Sequence, residues 1–175
     1  LCLAGAVAAL AGLWQREYGR LALIEKGHLL ATAAVVLSSA ILTIALWRHD
    51  FSFIYVAEYT DTLLPLFYTL TAFWAGQAGS LLFWMLVLAL CGVCFALSPA
   101  YKSLSLPTRH AYWMFFLTVE AFFLLLLTGP TNPFLEAVPP MAEGRGLNPL
   151  LRNPGMIFHP PLLFLGYAGF AIPAC

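Results

Sequence analysis

The sequence predicts an all-α fold, a polytopic bundle of transmembrane helices, on three observations. Of its 175 residues 62% are hydrophobic and 9% are charged, with a mean hydropathy of +0.87. An ordinary soluble domain carries about 25% charged residues, so a globule of this composition could not clothe itself in polar surface. That excludes a soluble enzyme. Second, the apolar residues fall in long uncharged runs flanked by Lys and Arg. Third, the segments between the runs hold most of the Pro, Asn and Gly. Eight basic residues balance eight acidic ones, so no net field draws nucleic acid.

A hydrocarbon layer about 30 Å thick demands helices of roughly 20 apolar residues, because every backbone polar group must be satisfied internally. Residues 1–14 form an incomplete first span. A cleaved signal peptide is its competitor, but no basic region precedes it. Starting at Leu1 without Met and stopping at Cys175 within an apolar run, the chain reads as an internal fragment. The second span is 27–47, between Lys26 and Arg48. The uncharged run 62–101 is too long for one crossing and is interrupted at Gly76-Gln77-Ala78-Gly79-Ser80. It divides into an interfacial stretch, 63–74, and a span, 81–97. The fourth span is 111–128 and the fifth is 161–175.

Lys and Arg near the span ends orient the set. Arg16, Arg20, Lys26, Lys102 and Arg109 lie in one set of loops, against Arg48, Arg145 and Arg152 in the other. The count places the loops 48–80 and 129–160 on the outer face. These long, irregular loops are where binding residues are expected, since a rigid scaffold commonly presents them there.

Cys91-Gly92-Val93-Cys94 would attract a pattern search, but Phe95 stands where haem attachment needs His, and mid-span there is no second ligand pair. The four cysteines, Cys2, Cys91, Cys94 and Cys175, all lie in apolar stretches and form no disulfide framework. Glu120 sits in the middle of the fourth span, where a charge is costly and no Lys or Arg is available as partner. It reads either as a protonated acid bonded to a neighbouring helix or as a proton- or redox-coupled site. His28, His49 and His110 each lie beside a basic residue and read as structural groups near the membrane surface. His159 differs. It lies in Asn153-Pro154-Gly155-Met156-Ile157-Phe158-His159-Pro160-Pro161, at the outer mouth of the fifth span. Proline disfavours the helical region for the residue before it, so His159 is expected to be extended, with Pro160 or Pro161 in the first helical turn. An imidazole held there can ligate a metal or haem iron, with Phe158, Leu162 and Phe164 as an apolar wall.

Taken together, the outer segments resemble the haem lyase proteins of cytochrome c maturation, of the CcmF and NrfE type. The first segment runs Asp50-Phe51-Ser52-Phe53-Ile54-Tyr55-Val56-Ala57, then Leu64-Pro65, Tyr68, Ala72 and Trp74, and closes on Gly79-Ser80-Leu81-Leu82-Phe83-Trp84. The second runs Gly144-Arg145-Gly146-Leu147-Asn148-Pro149-Leu150-Leu151, then Asn153-Pro154, His159-Pro160-Pro161 and Leu165-Gly166-Tyr167. Asn132-Pro133-Phe134 also fits, and the similarity extends over nearly the whole chain in one order.

The resemblance implies an integral protein of the bacterial inner membrane whose functional loops face the periplasm. Its cofactor would be haem b, received from a haem chaperone and attached to the thiols of a Cys-x-x-Cys-His apocytochrome c, alongside other maturation subunits. His159 falls on the first of two outer haem-ligating histidines. The second, a tryptophan-rich loop and an intramembrane haem pair would follow Cys175, so the fragment alone would hold half a site and not be competent as a haem lyase. No catalytic residue is assigned. Alternatives are a haem exporter or haem-handling subunit without ligation activity, and a cofactor-free transporter subunit. Gln77-Ala78 departs from the His-Glu of many family members, and Trp74 and Trp84 read equally as interfacial anchors.

Overall fold

The computed structural model describes residues 1–175, except for the side chain of Met156. Eight helices follow in order: α1 (Cys2–Gln15), α2 (Leu21–Trp47), α3 (Ile54–Tyr59), α4 (Leu66–Thr71), α5 (Gln77–Leu97), α6 (Pro99–Ser103), α7 (Leu106–Thr128) and α8 (Pro154–Ala174). Short 3-10 turns, Ala72–Trp74 and Pro149–Arg152, precede α5 and α8. Four helices, Leu21–Trp47, Gln77–Leu97, Leu106–Thr128 and Ile157–Ala174, are long and apolar enough to cross a membrane, and Cys2–Gln15 is a shorter apolar one. Each long helix begins before the span expected from the sequence, at Leu21, Gln77, Leu106 and Pro154, and for α2 and α7 the expected span is cut short by the flanking charges. The uncharged window marks what can sit in hydrocarbon, whereas a helix continues into the headgroup zone, where Glu25, Lys26 and Arg109 are tolerated.

The chain divides into two compact units. One comprises Leu1–Val36, Met85–Leu125 and Leu165–Cys175. Its centre holds Trp113, Phe116, Leu117, Met85 and Leu88, all buried. α1 buries Cys2, Ala6, Ala9 and Gly12, three or four residues apart and so on one helical face. A Cβ on Gly92 would come within 2.6 Å of the Phe116 ring. The glycine of Cys91-Gly92-Val93-Cys94 is thus a close-packing position, and Cys91 and Cys94 are both free thiols. In the same unit, the Tyr101 hydroxyl donates to Glu25 and accepts from the Trp113 indole at 2.7 Å. Burial pushes the Tyr101 phenol above its ordinary range.

The other unit comprises Leu37–Trp84 and Leu126–Phe164, and it holds both long loops, 48–80 and 129–160. Backbone bonds lace them together: Ile54 N–H to Leu135 O at 2.9 Å, Ala137 N–H to Ser52 O at 2.7 Å and Arg145 N–H to Ala57 O at 2.7 Å. Gly146 turns the chain at φ 78°, and a side chain there would strike the Asp61 carboxylate. Glu143 accepts from the Thr62 N–H at 3.0 Å and the Thr62 hydroxyl at 2.9 Å. The Thr62 backbone N–H is the first of the donors that hold this exposed carboxyl below its usual range.

Buried Tyr55 anchors this unit. Its hydroxyl donates toward the carbonyls of Phe73 at 3.0 Å and Ala72 at 3.1 Å, and accepts from the Gly76 N–H at 3.1 Å. Burial pushes the phenol's pKa up. Tyr55→Phe strands the Gly76 N–H and removes a donor from the Phe73 carbonyl, while the Ala72 carbonyl keeps the Ala75 N–H, at an expected cost of about 1–3 kcal/mol. Thermal unfolding of the purified protein in detergent checks this, and an unchanged midpoint would show that these groups find other partners.

Candidate functional site

α8 starts at Pro154, whose fixed φ suits a first helical position, and the Asn153 side chain accepts from the Gly155 N–H at 2.9 Å. His159 therefore lies more than a turn inside α8, which corrects the extended conformation expected ahead of the helix. Proline's influence on its predecessor is a preference, and here a helix already nucleated upstream runs through it. Pro161 lacks the N–H that would bond the Ile157 carbonyl, and the Trp74 indole N–H takes that carbonyl at 3.1 Å. Trp74 thus makes an internal bond, and its ring centroid lies 5.4 Å from that of Phe83. Trp84 stacks on Phe164 at 5.4 Å and 20°.

Ile157 is buried, whereas the His159 imidazole is exposed. Beside it Phe158 is 60% and Leu162 67% exposed, and Leu163 lies on the same face. The histidine thus stands on an open apolar strip, a surface an amphipathic planar ligand can lie against. Gln77 and Ala78 line a separate cleft of about 210 Å³ with Tyr55, Glu58, Tyr59 and Asn132.

Hydropathy reading missed a second constellation. The Nδ1 of His28 lies 3.1 Å from Oε2 of Glu120, with the two side chains 2% and 0% exposed. The Cys2 thiol donates to the same oxygen at 3.6 Å. The Thr32 hydroxyl donates to the His28 carbonyl at 3.0 Å and lies 3.4 Å from Nε2. Glu120 thus has an intramembrane partner, an imidazole rather than Lys or Arg, and His28 is not a surface group. Because α2 begins at Leu21, position 28 is well inside the helix. An imidazole and a carboxyl at this distance can share one proton while the pair stays neutral overall, which moderates the cost of burying it.

His110 is also corrected. It is fully buried, within 3.0 Å of the Leu106 carbonyl through Nδ1 and edge-on to Tyr18 at 5.0 Å. Starting α7 at Leu106 turns this residue into the bundle. His49 ends α2 in the left-handed conformation, φ 51°, and its N–H donates to the Leu46 carbonyl at 3.1 Å. Among the described residues no group of three or more His, Cys, Asp or Glu could hold a metal ion.

Fold and site together define a polytopic helical membrane protein that presents one histidine on an apolar strip. Residues 74–175 match the family model described as cytochrome c assembly protein, and the chain belongs to that family. It is 38% identical over 167 residues to the probable cytochrome c-type biogenesis protein NrfE of Escherichia coli strain K12, covering 95% of this chain and 30% of that protein. With the cytochrome c-type biogenesis protein CcmF of the same strain it shares 36% over 179 residues, covering 98% and 27%. The solved structure of the cytochrome c haem lyase CcmF matches with a TM-score of 0.79 at 26% identity, over 98% of this chain and 26% of that one. The chain thus spans less than a third of the length of these relatives.

Proposed function

We propose that this chain supplies one axial ligand and part of the apolar wall of the outer haem site in a cytochrome c haem lyase. The observation that carries the reading is the exposed His159 imidazole on the apolar strip with Phe158 and Leu162. His159 would hold the iron of haem b, and Phe158 and Leu162 would lie against the macrocycle and keep water from it. Held there, the haem would supply two vinyl groups, across which the two thiols of a Cys-x-x-Cys-His apocytochrome c would add, each C–S bond forming as the thiol hydrogen passes to the neighbouring carbon. A haem chaperone would deliver the haem, and other maturation subunits would hold the apocytochrome nearby.

This reading needs loops 48–80 and 129–160 to face the periplasm from the bacterial inner membrane. Single cysteines at Asp61 and Arg145, with the native thiols replaced, are expected to react with a membrane-impermeant maleimide in intact cells. Cysteines at Gly19 and Ser103 are expected to react only after the membrane is opened. The reverse pattern would put His159 on the wrong side and end the proposal.

A further inference from the structure

The geometry points to Trp74 as a positioning residue for His159, acting through the peptide carbonyl of Ile157. The inference rests on the haem-site reading above. It begins from Pro160-Pro161, consecutive prolines inside α8. A proline within a helix removes the hydrogen bond to the carbonyl four residues earlier and crowds it, so the helix kinks or loosens there. For Pro161 that carbonyl belongs to Ile157, a residue 4% exposed, so solvent is a poor substitute donor. The indole N–H of Trp74 occupies the place at 3.1 Å. A side chain 83 residues away in sequence thus replaces the bond that the proline deleted.

Trp74 is itself held from several directions. Its carbonyl accepts from the Ser80 hydroxyl at 2.8 Å, and its ring packs against Phe83. The turn before it is clamped by Tyr55, which bonds Phe73 O and Gly76 N–H. Trp74, Ile157 and Pro160 also share a cavity of about 190 Å³ with Leu147 and Leu151, which leaves room for this stretch of α8 to shift once the indole bond is gone. His159, two residues past Ile157, projects from a different face of the helix. Whatever sets the Ile157 peptide therefore sets the direction of the imidazole. Axial ligation is sensitive to that direction, because the ring nitrogen must meet the iron along one line.

The test uses the intact protein purified with its haem, reading haem per protein, the optical spectrum and the rate of haem loss to an excess of apomyoglobin. Trp74→Phe keeps an aromatic ring to face Phe83 while deleting the N–H donor and part of the indole's volume. It is expected to speed haem loss about tenfold, the scale of one stranded buried carbonyl, at unchanged protein yield. Adding Pro161→Ala puts an N–H back at position 161, where it can bond the Ile157 carbonyl within the helix. The double variant is expected to recover most of the haem retention, an outcome that a packing or interfacial-anchor role for Trp74 would not produce. Failure of the second substitution to rescue overturns the inference. So does wild-type haem retention in Trp74→Phe while His159→Ala is depleted, a result that leaves the haem-site reading standing. Wild-type haem retention in His159→Ala overturns both.

Discussion

His159→Ala in the intact protein is expected to lower outer haem and abolish cytochrome c maturation, while the amount of protein changes little. The imidazole is exposed and packs into no core, and surface substitutions of that kind usually stay within about 0.5 kcal/mol. Alanine is also a better helix former than histidine by a few tenths of a kcal/mol, so α8 should persist. What would disappear, on the proposed ligation, is a nitrogen ligand to the iron. The haem spectrum should therefore shift, and added imidazole should restore part of both the spectrum and the maturation by supplying that nitrogen from solution. A wild-type maturation rate with an unaltered spectrum would reduce His159 to an ordinary surface residue. His28 and His110 are unsuitable as neutral controls in this assay, because both are buried in the bundle.

Glu120→Leu and His28→Leu should each destabilise the bundle by about 3–5 kcal/mol, because each strands the other member of a buried pair without its partner. The double variant is expected to recover most of that loss, since two apolar side chains fill the site and leave nothing charged behind. Glu120→Gln should be far milder: an amide oxygen can still accept from the imidazole Nδ1–H, or the amide can donate to it. Thermal unfolding in detergent, with the wild type and the three leucine variants completing a double-mutant cycle, reads all of these proteins. Losses that simply add, with no recovery in the double variant, would show that the 3.1 Å contact between the side chains carries no coupling. Normal stability of Glu120→Gln together with lost maturation would instead point to the proton- or redox-coupled role for Glu120.

How much of this molecule is legible in its sequence depends on how local each signal is. Hydropathy and charge spacing are local, so the helical class, the position of the apolar helices and the separation of the outer segments follow from the sequence alone. The motif residues around Tyr55, Trp74, Asn148 and His159 likewise announce the family without any structure. Helix limits were less legible, because a charge such as Lys26 or Arg109 ends the hydrocarbon window without ending the helix. Only the tertiary structure decided the contacts between elements. The rotation of each helix about its own axis brings His28 to Glu120 across 92 residues and turns His110 inward. Trp74 meets the Ile157 carbonyl for the same kind of reason. Pro161 declares in the sequence that a carbonyl will lack its helical donor, but which side chain supplies the missing hydrogen depends on packing between segments far apart in the chain.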